Sequence, residues 1–357
     1  MPAPASPRLW RPKRLLITRA ARGFAHGRAM MERAAALGTT IVELPGDRVT
    51  LDLPGDGARA YADAKQTLAV VVAPPSKRRF QPIPPSADWR VDLAQGCPAH
   101  CSYCYLAGSL TGPPITRAYA NLDEIVAAIP NHVGQGKVTS RSRARADEGT
   151  TFEASCYTDP LAIEPVTGSL AALISWFGDT NLDAQLRFTS KFANVDPLLT
   201  LAHRGRTRMR VSLNPALYAR YEGGTARVAD RLVAMRRMAD AGYPIGLTMA
   251  PIIAAEGWRE AYGGLIADVA AALDGATGVD LTVELITHRF TEGSKAVLGS
   301  WYPGSALDMT PENRTEKRTK FGTSKQVYDT TTMKALKTFF YDTIGERLPA
   351  ARILYWT

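Results

Sequence analysis

From Trp89 onward, short β-branched runs alternate with longer helical patterns, and this alternation narrows the open architectures more than any other feature of the chain. Strand-like runs fall at residues 89–93, 151–154, 185–189, 208–213, 245–251 and 280–285. Helical patterns stand between them at 122–128, 169–177, 195–202, 226–241 and 261–273. Repeated β-α units build a parallel sheet or barrel whose reactive groups lie at the C-terminal ends of the strands. The expected fold is α/β, a partial (β/α)6 TIM-type barrel over residues 89–357 that ends in a β-hairpin and helix extension.

Residues 1–88 read as a separate small α/β unit, with strands at 14–18, 40–44 and 67–73 and helices at 27–37 and 60–65. Its last segment, PPSKRRFQPIPP at 74–85, breaks all periodicity with proline and reads as a linker or extended arm. Residues 132–150 are polar and dense in Arg141, Arg143 and Arg145, which predicts a flexible surface loop. No internal repeat is present.

The 357 residues suffice for one large domain with an appendage or two modest ones. No apolar run approaches the roughly 20 residues of a bilayer span, and no secretory h-region follows the basic N-terminus. A cytoplasmic, membrane-free protein is expected. The net charge of +9 favours a polyanionic partner such as nucleic acid; a solvated basic surface is the competing explanation.

Only four cysteines occur, and three of them lie within residues 97–104, which is no disulfide framework for a chain of this length. The segment is Gly96-Cys97-Pro98-Ala99-His100-Cys101-Ser102-Tyr103-Cys104-Tyr105, a CxxxCxxC spacing directly after a strand. Three thiolates on one loop can each take a corner of a 4Fe-4S cubane and leave the fourth iron open. An open iron can chelate S-adenosylmethionine (AdoMet) and deliver the electron that splits it into a 5′-deoxyadenosyl radical. Structural zinc, completed by His100 or Cys156, is the rival, but it lacks a second CxxC. A plain ferredoxin would want a fourth cysteine nearby.

With these residues in place, the chain resembles the spore photoproduct lyase family of radical AdoMet enzymes. The similarity is densest in GCPAHCSYCYLAG, RFTSKFANVD, MRVSLN, MAPIIAAEGW and VELITHRFT and reaches the C-terminal ILYWT. The resemblance implies that Cys97, Cys101 and Cys104 hold the 4Fe-4S cluster. It makes Cys156 the thiol that returns a hydrogen atom to the substrate radical, against the alternative of a buried apolar cysteine. Tyr103 and Tyr105 match tyrosines thought to relay the hydrogen back to the cofactor. Lys191, Ser212, Asn214 and Ala250 match positions lining the AdoMet site, and Thr158 stands there in place of a family serine.

The segment 313–328, NRTEKRTKFGTSKQVY, predicts a DNA-gripping hairpin carrying Arg318 and Lys325, with Lys320 and Phe321 where the family presents an arginine-tyrosine pair. His288 and Arg289, at a strand end, read either as a structural cap or as contacts to the lesion. The resemblance implies a DNA-repair lyase that returns the ultraviolet product 5-thyminyl-5,6-dihydrothymine to two thymines, working as a monomer and fed electrons by a donor such as flavodoxin or ferredoxin. The departures at Lys320, Phe321 and Thr158 put the substrate in question, and two alternatives stand beside this reading. One is a radical enzyme acting on another thymine photoproduct or a modified nucleotide; the other is a non-catalytic iron-sulfur or zinc protein that binds nucleic acid.

Overall fold

The computed structural model describes residues 9–51, 57–104, 106–107, 114–139, 142–318 and 324–357. Strands β1 (Arg14–Ile17), β2 (Thr40–Glu43) and β3 (Thr67–Val71) form a parallel sheet at the N-terminus, flanked by helices α1 (Ala25–Ala36) and α2 (Gly57–Lys65). Strands β4 (Gln81–Ile83) and β5 (Ala87–Val91) leave for the second sheet, and β6 (Ala94–Gln95), β7 (His100–Cys101) and β8 (Thr116–Tyr119) follow. The N-terminal sheet is completed from beyond residue 88, because β8 pairs in parallel with β3 and β6 pairs antiparallel with β8. The small unit and the cysteine loop are thus joined through one sheet.

The second sheet takes in β9 (Thr150–Ala154), β10 (Ala184–Ser190), β11 (Thr207–Ser212), β13 (Ile245–Ile252), β14 (Leu281–Thr287) and, at the C-terminus, β17 (Arg352–Trp356); between these lie the short β12 (Glu222–Gly223) and a hairpin of β15 (Thr315–Arg318) and β16 (Ser324–Val327). Its order is β17-β14-β13-β11-β10-β9-β5-β4. Neighbours from β5 to β17 are parallel, and β4 lies antiparallel on the edge. The expected partial barrel is present, and β17 adds a further parallel strand to the six anticipated. Proline in β4, at Pro82, sits where it is tolerated, on an edge strand. Within the segment 74–85, Pro75–Arg78 thus form a 3-10 turn and Gln81–Ile83 the edge strand.

Alternation along the strands sorts the side chains. Phe152, Leu186, Phe188, Met209, Val211, Leu247 and Val283 are buried in the main core. The intervening Glu153, Arg187, Arg210 and Glu284 meet one another instead. Arg210 bonds Glu153 and, at 2.5 Å, Glu284; Tyr355 donates to Glu284 at 3.0 Å. Arg187 reaches Glu148 at 2.7 Å, and Arg145 joins the same carboxylate at 2.9 Å.

This network corrects the reading of residues 132–150 as a flexible loop. Arg145 is buried and donates to the carbonyls of Pro85 and Ser86, each at 2.9 Å. Asp88 accepts from the N–H groups of Val138 (2.7 Å), Thr139 (3.1 Å) and Thr151 (3.0 Å), and from both threonine hydroxyls. Local polarity reads as solvation, whereas Arg145 and Glu148 are buried, with partners as distant as Pro85 and Arg187. Burial opposes ionisation of Asp88, but these donors hold its carboxyl below the usual range. Its contribution is therefore present at neutral pH and lost as pH falls below the ordinary carboxylate range. Asp88→Ala is expected to cost about 2–3 kcal/mol, read as a lower urea midpoint at pH 7 with the gap closing in acid.

A second correction concerns residues 195–202. Only a short 3-10 turn, Asp196–Leu198, forms there, with Pro197 in its first turn, and the chain turns again where His203 N donates to Leu201 O at 2.8 Å. Conversely, helix α3 (Pro160–Thr167), unforeseen in the sequence, is capped by Asp159, whose side chain accepts from Ala162 N at 3.1 Å. Among the described residues, no single helix is long and apolar enough to cross a membrane.

Candidate active site at the C-terminal ends of the barrel strands

The cysteine loop leaves β5 and β6 through Gly96, whose φ of +87° favours glycine and whose Cβ, if present, would lie 2.3 Å from the carbonyl oxygen of Ile115. Cys101 lies in β7, which pairs antiparallel with β12, so that Glu222 sits opposite Cys101. Ser102 N donates to Tyr221 O at 2.9 Å and Cys104 N to Cys101 O at 3.2 Å. From the N-terminal unit, Lys65 Nζ donates to the carbonyls of Cys97 (2.6 Å) and Ala99 (2.8 Å).

Cys101 is buried, Cys97 and Cys104 are half-buried, and none is in a disulfide. Burial pushes the Cys97 thiol up to about 11 against the pull of Lys65, and pushes Cys101 higher still against Lys191. Among the described residues no three His, Cys, Asp or Glu side chains are grouped around a single metal position. Three thiols on one loop could each take a separate corner of an iron-sulfur cubane.

Beneath that loop, Lys191, the residue after β10, gathers the sequence-predicted positions. Its Nζ donates to Ser212 Oγ at 2.8 Å, to the carbonyl of Ala250 at 3.3 Å and to Glu222 Oε1 at 2.8 Å. Asn214 Nδ2 donates to the same carboxylate oxygen at 3.1 Å, and Arg231 holds Oε2 at 2.6 Å. Tyr103 donates its phenol hydrogen to Glu222, and Lys191 Nζ stands 5.4 Å from its ring centre. Burial opposes the charge on Glu222, but Lys191 and Arg231 outweigh it and hold the carboxyl at about 2.

Sequence reasoning missed Glu222. A glutamate ahead of Gly223 and Gly224 has no periodic signal, and only the β7-β12 pairing places it under the cysteines. Lys65 was missed for the same reason, since it reads as the last residue of a weak helix.

Cys156 follows β9 by two residues. The turn is made by Ser155, at φ +55°, whose hydroxyl accepts from Leu93 N at 2.8 Å and whose N–H donates to Val91 O at 2.8 Å. Burial pushes the Cys156 thiol up to about 12, with Asp92 adding to the rise and Arg90 opposing it. Arg90 caps the neighbouring Tyr157 ring at 4.4 Å. Thr158 is buried nearby, its N–H on Ser155 O at 3.0 Å and its Oγ1 without a protein partner.

Tyr105, Lys320 and Phe321 lie outside the described residues. On the hairpin, Arg318 and Lys317 are exposed and Lys325 faces Lys317 across the strands. Burial, then Arg289 and Lys317, push the Lys325 ammonium down. Arg289 donates to Thr357 Oγ1 at 2.5 Å. His288 is 1% exposed, with Nδ1 3.3 Å from Arg314, and burial followed by Arg314 brings it to about 3. The imidazole is thus buried beside Arg314 at the end of β14.

Comparison with known proteins extends these local matches to the whole chain. The family model for spore photoproduct lyase matches residues 10–357. Spore photoproduct lyase of Geobacillus is 35% identical, covering 97% of this chain and 98% of that protein. The Bacillus subtilis enzyme is also 35% identical, over 93% and 94% of the two chains, and that of Clostridium acetobutylicum is 30% identical over 96% and 98%. A solved spore photoproduct lyase mutant with bound AdoMet and dinucleoside spore photoproduct superposes with a TM-score of 0.89 at 35% identity, over 98% of this chain and 100% of that one. With relatives of this identity matched almost from end to end, the chain belongs to the spore photoproduct lyase family.

Proposed function

We propose that this chain is a radical AdoMet lyase that returns the spore photoproduct in DNA to two thymines. The observation that carries the reading is the meeting, at one rim of the barrel, of the three-cysteine loop, the Lys191 network and the Cys156 turn, in a chain whose solved relative holds both AdoMet and the dinucleoside lesion. Cys97, Cys101 and Cys104 are the donor set for a 4Fe-4S cluster. When bound, the cluster and AdoMet supply one electron and a hydrogen-abstracting 5′-deoxyadenosyl radical.

The remaining work falls to the protein. Lys191 presents a positive charge fixed by Ser212, Glu222 and the Ala250 carbonyl, suited to an amino-acid carboxylate, and Asn214 braces the same carboxylate of Glu222. Cys156 keeps its hydrogen because burial holds the thiol protonated through neutral pH, so its S–H can give a hydrogen atom to the carbon radical left on the thymine. Tyr103, hydrogen-bonded to an ionised Glu222, is placed to take part in returning that hydrogen. The protein works on DNA as a monomer and draws its electron from a donor such as flavodoxin or ferredoxin.

Anaerobic reconstitution tests the initiating half. A brown, iron-loaded protein that forms 5′-deoxyadenosine under a strong reductant is expected; a colourless protein containing zinc would end the reading. Lys317→Ala and Lys325→Ala are each expected to weaken binding to lesion-bearing DNA and lower the salt slope by about 1, measured by fluorescence anisotropy across a salt series. Unchanged slopes would remove the hairpin from the DNA interface. The Lys320-Phe321 pair favours a second reading, a different thymine photoproduct, which a panel of defined dinucleotide lesions separates from the first.

A further inference from the structure

Buried cations in this protein come with carboxylates. Arg187 is paired with Glu148, Arg210 with Glu153 and Glu284, Arg231 with Glu222, and Arg145 with Glu148. Arg208 has Asp280. Lys65 is the exception among the described residues. It is 5% exposed, its ammonium donates only to the backbone carbonyls of Cys97 and Ala99, and its one further contact is the face of Tyr61 at 5.4 Å. The neighbouring imidazole of His100 brings no negative charge. A desolvated ammonium with no anion nearby is costly, so its anion is one the protein alone does not contain.

We propose that Lys65 is the counter-charge of the iron-sulfur cluster, a positioning residue that straps the cysteine loop from the N-terminal unit and stabilises the reduced cluster. The inference rests on the reading that the three cysteines hold such a cluster. Reduction adds one electron from a low-potential donor and leaves the cluster one unit more negative, and a fixed cation at the ligand loop favours that state. Net charge and hydrogen bonding around the sulfurs are among the determinants of cluster potential. The N-terminal unit thereby has a chemical part in the reaction besides its packing.

The test compares wild type, Lys65→Arg, Lys65→Gln and Lys65→Met after anaerobic reconstitution. Iron content, thermal unfolding and an EPR-monitored potentiometric titration with dithionite, without AdoMet, are measured for each. The arginine variant is expected to titrate with wild type. Glutamine and methionine are expected to shift the reduction equilibrium about tenfold toward the oxidised cluster, ~59 mV for a one-electron couple. If the two neutral variants fold with the wild-type melting profile but take up no cluster, while arginine does, the requirement for charge is read as occupancy and the proposal also stands. Equal potentials in all four loaded proteins would overturn it. A wild-type chain that takes up no iron would instead overturn the cluster reading itself.

Discussion

Replacing Cys156 by alanine is expected to stop the restoration of thymines while cleavage of AdoMet continues. The cysteine lies off the cysteine loop and outside the Lys191 network, so cofactor binding keeps its residues. What is lost is the S–H bond that quenches the substrate radical. The radical then survives long enough to be trapped by other reductants, and the product changes rather than only slowing. Thymine release should fall at least about tenfold, equivalent to ~1.4 kcal/mol or more of transition-state stabilisation. Cys156→Ser should not rescue it, because an alcohol O–H is a poorer hydrogen-atom donor than a thiol. High-performance liquid chromatography of the products decides the matter, and an unchanged product from Cys156→Ala would remove Cys156 from the reaction.

The same argument has a pH signature. A solvated thiol, at an ordinary value of 9.0, would be half thiolate at pH 9, whereas burial pushes Cys156 to about 12. Its hydrogen is therefore retained through mildly alkaline solution. The ratio of restored thymine to diverted product should stay level from pH 7 to pH 9, where a solvated thiol would lose ground.

Glu222→Gln is expected to be the most damaging single change for stability at this site. It leaves the buried Arg231 and the partly buried Lys191 without their shared carboxylate, and breaking a buried pair from one side costs about 3–5 kcal/mol. The folded-state value of about 2 lies below the ordinary 4.5, so the carboxylate's contribution is complete above roughly pH 4.5 and is lost as pH falls toward 2. Guanidinium unfolding at pH 7 should show a lower midpoint for the variant, with the gap narrowing at pH 3. Because Lys191 and Tyr103 both lean on Glu222, AdoMet affinity should weaken as well. An unchanged midpoint at pH 7 would mean that the Lys191-Arg231 pair does not depend on this carboxylate.

The barrel was legible because parallel strands buried on both faces leave short β-branched runs, and the cysteine loop because its spacing is compact in sequence. Lys191, Ser212, Asn214 and Ala250 were found through resemblance, and the structure brings Lys191 to each of the others directly or through Glu222. The charged parts that were not legible share one physical cause: a charge whose partner is distant in sequence looks solvated. Arg145 finds the carbonyls of Pro85 and Ser86, Lys65 finds the cysteine loop, and Glu222 finds two cations. β17 escaped notice because its pairing with β14 spans the C-terminal hairpin and helix. The helix expected at 195–202 stops after one 3-10 turn because the chain turns again at Leu201–His203.

Anaerobic turnover with defined dinucleoside spore photoproduct tests the central claim most directly. The account predicts that reduced, AdoMet-loaded protein converts the lesion to two unmodified thymines, and that the conversion disappears when AdoMet is withheld. Formation of 5′-deoxyadenosine with the lesion left intact would contradict it.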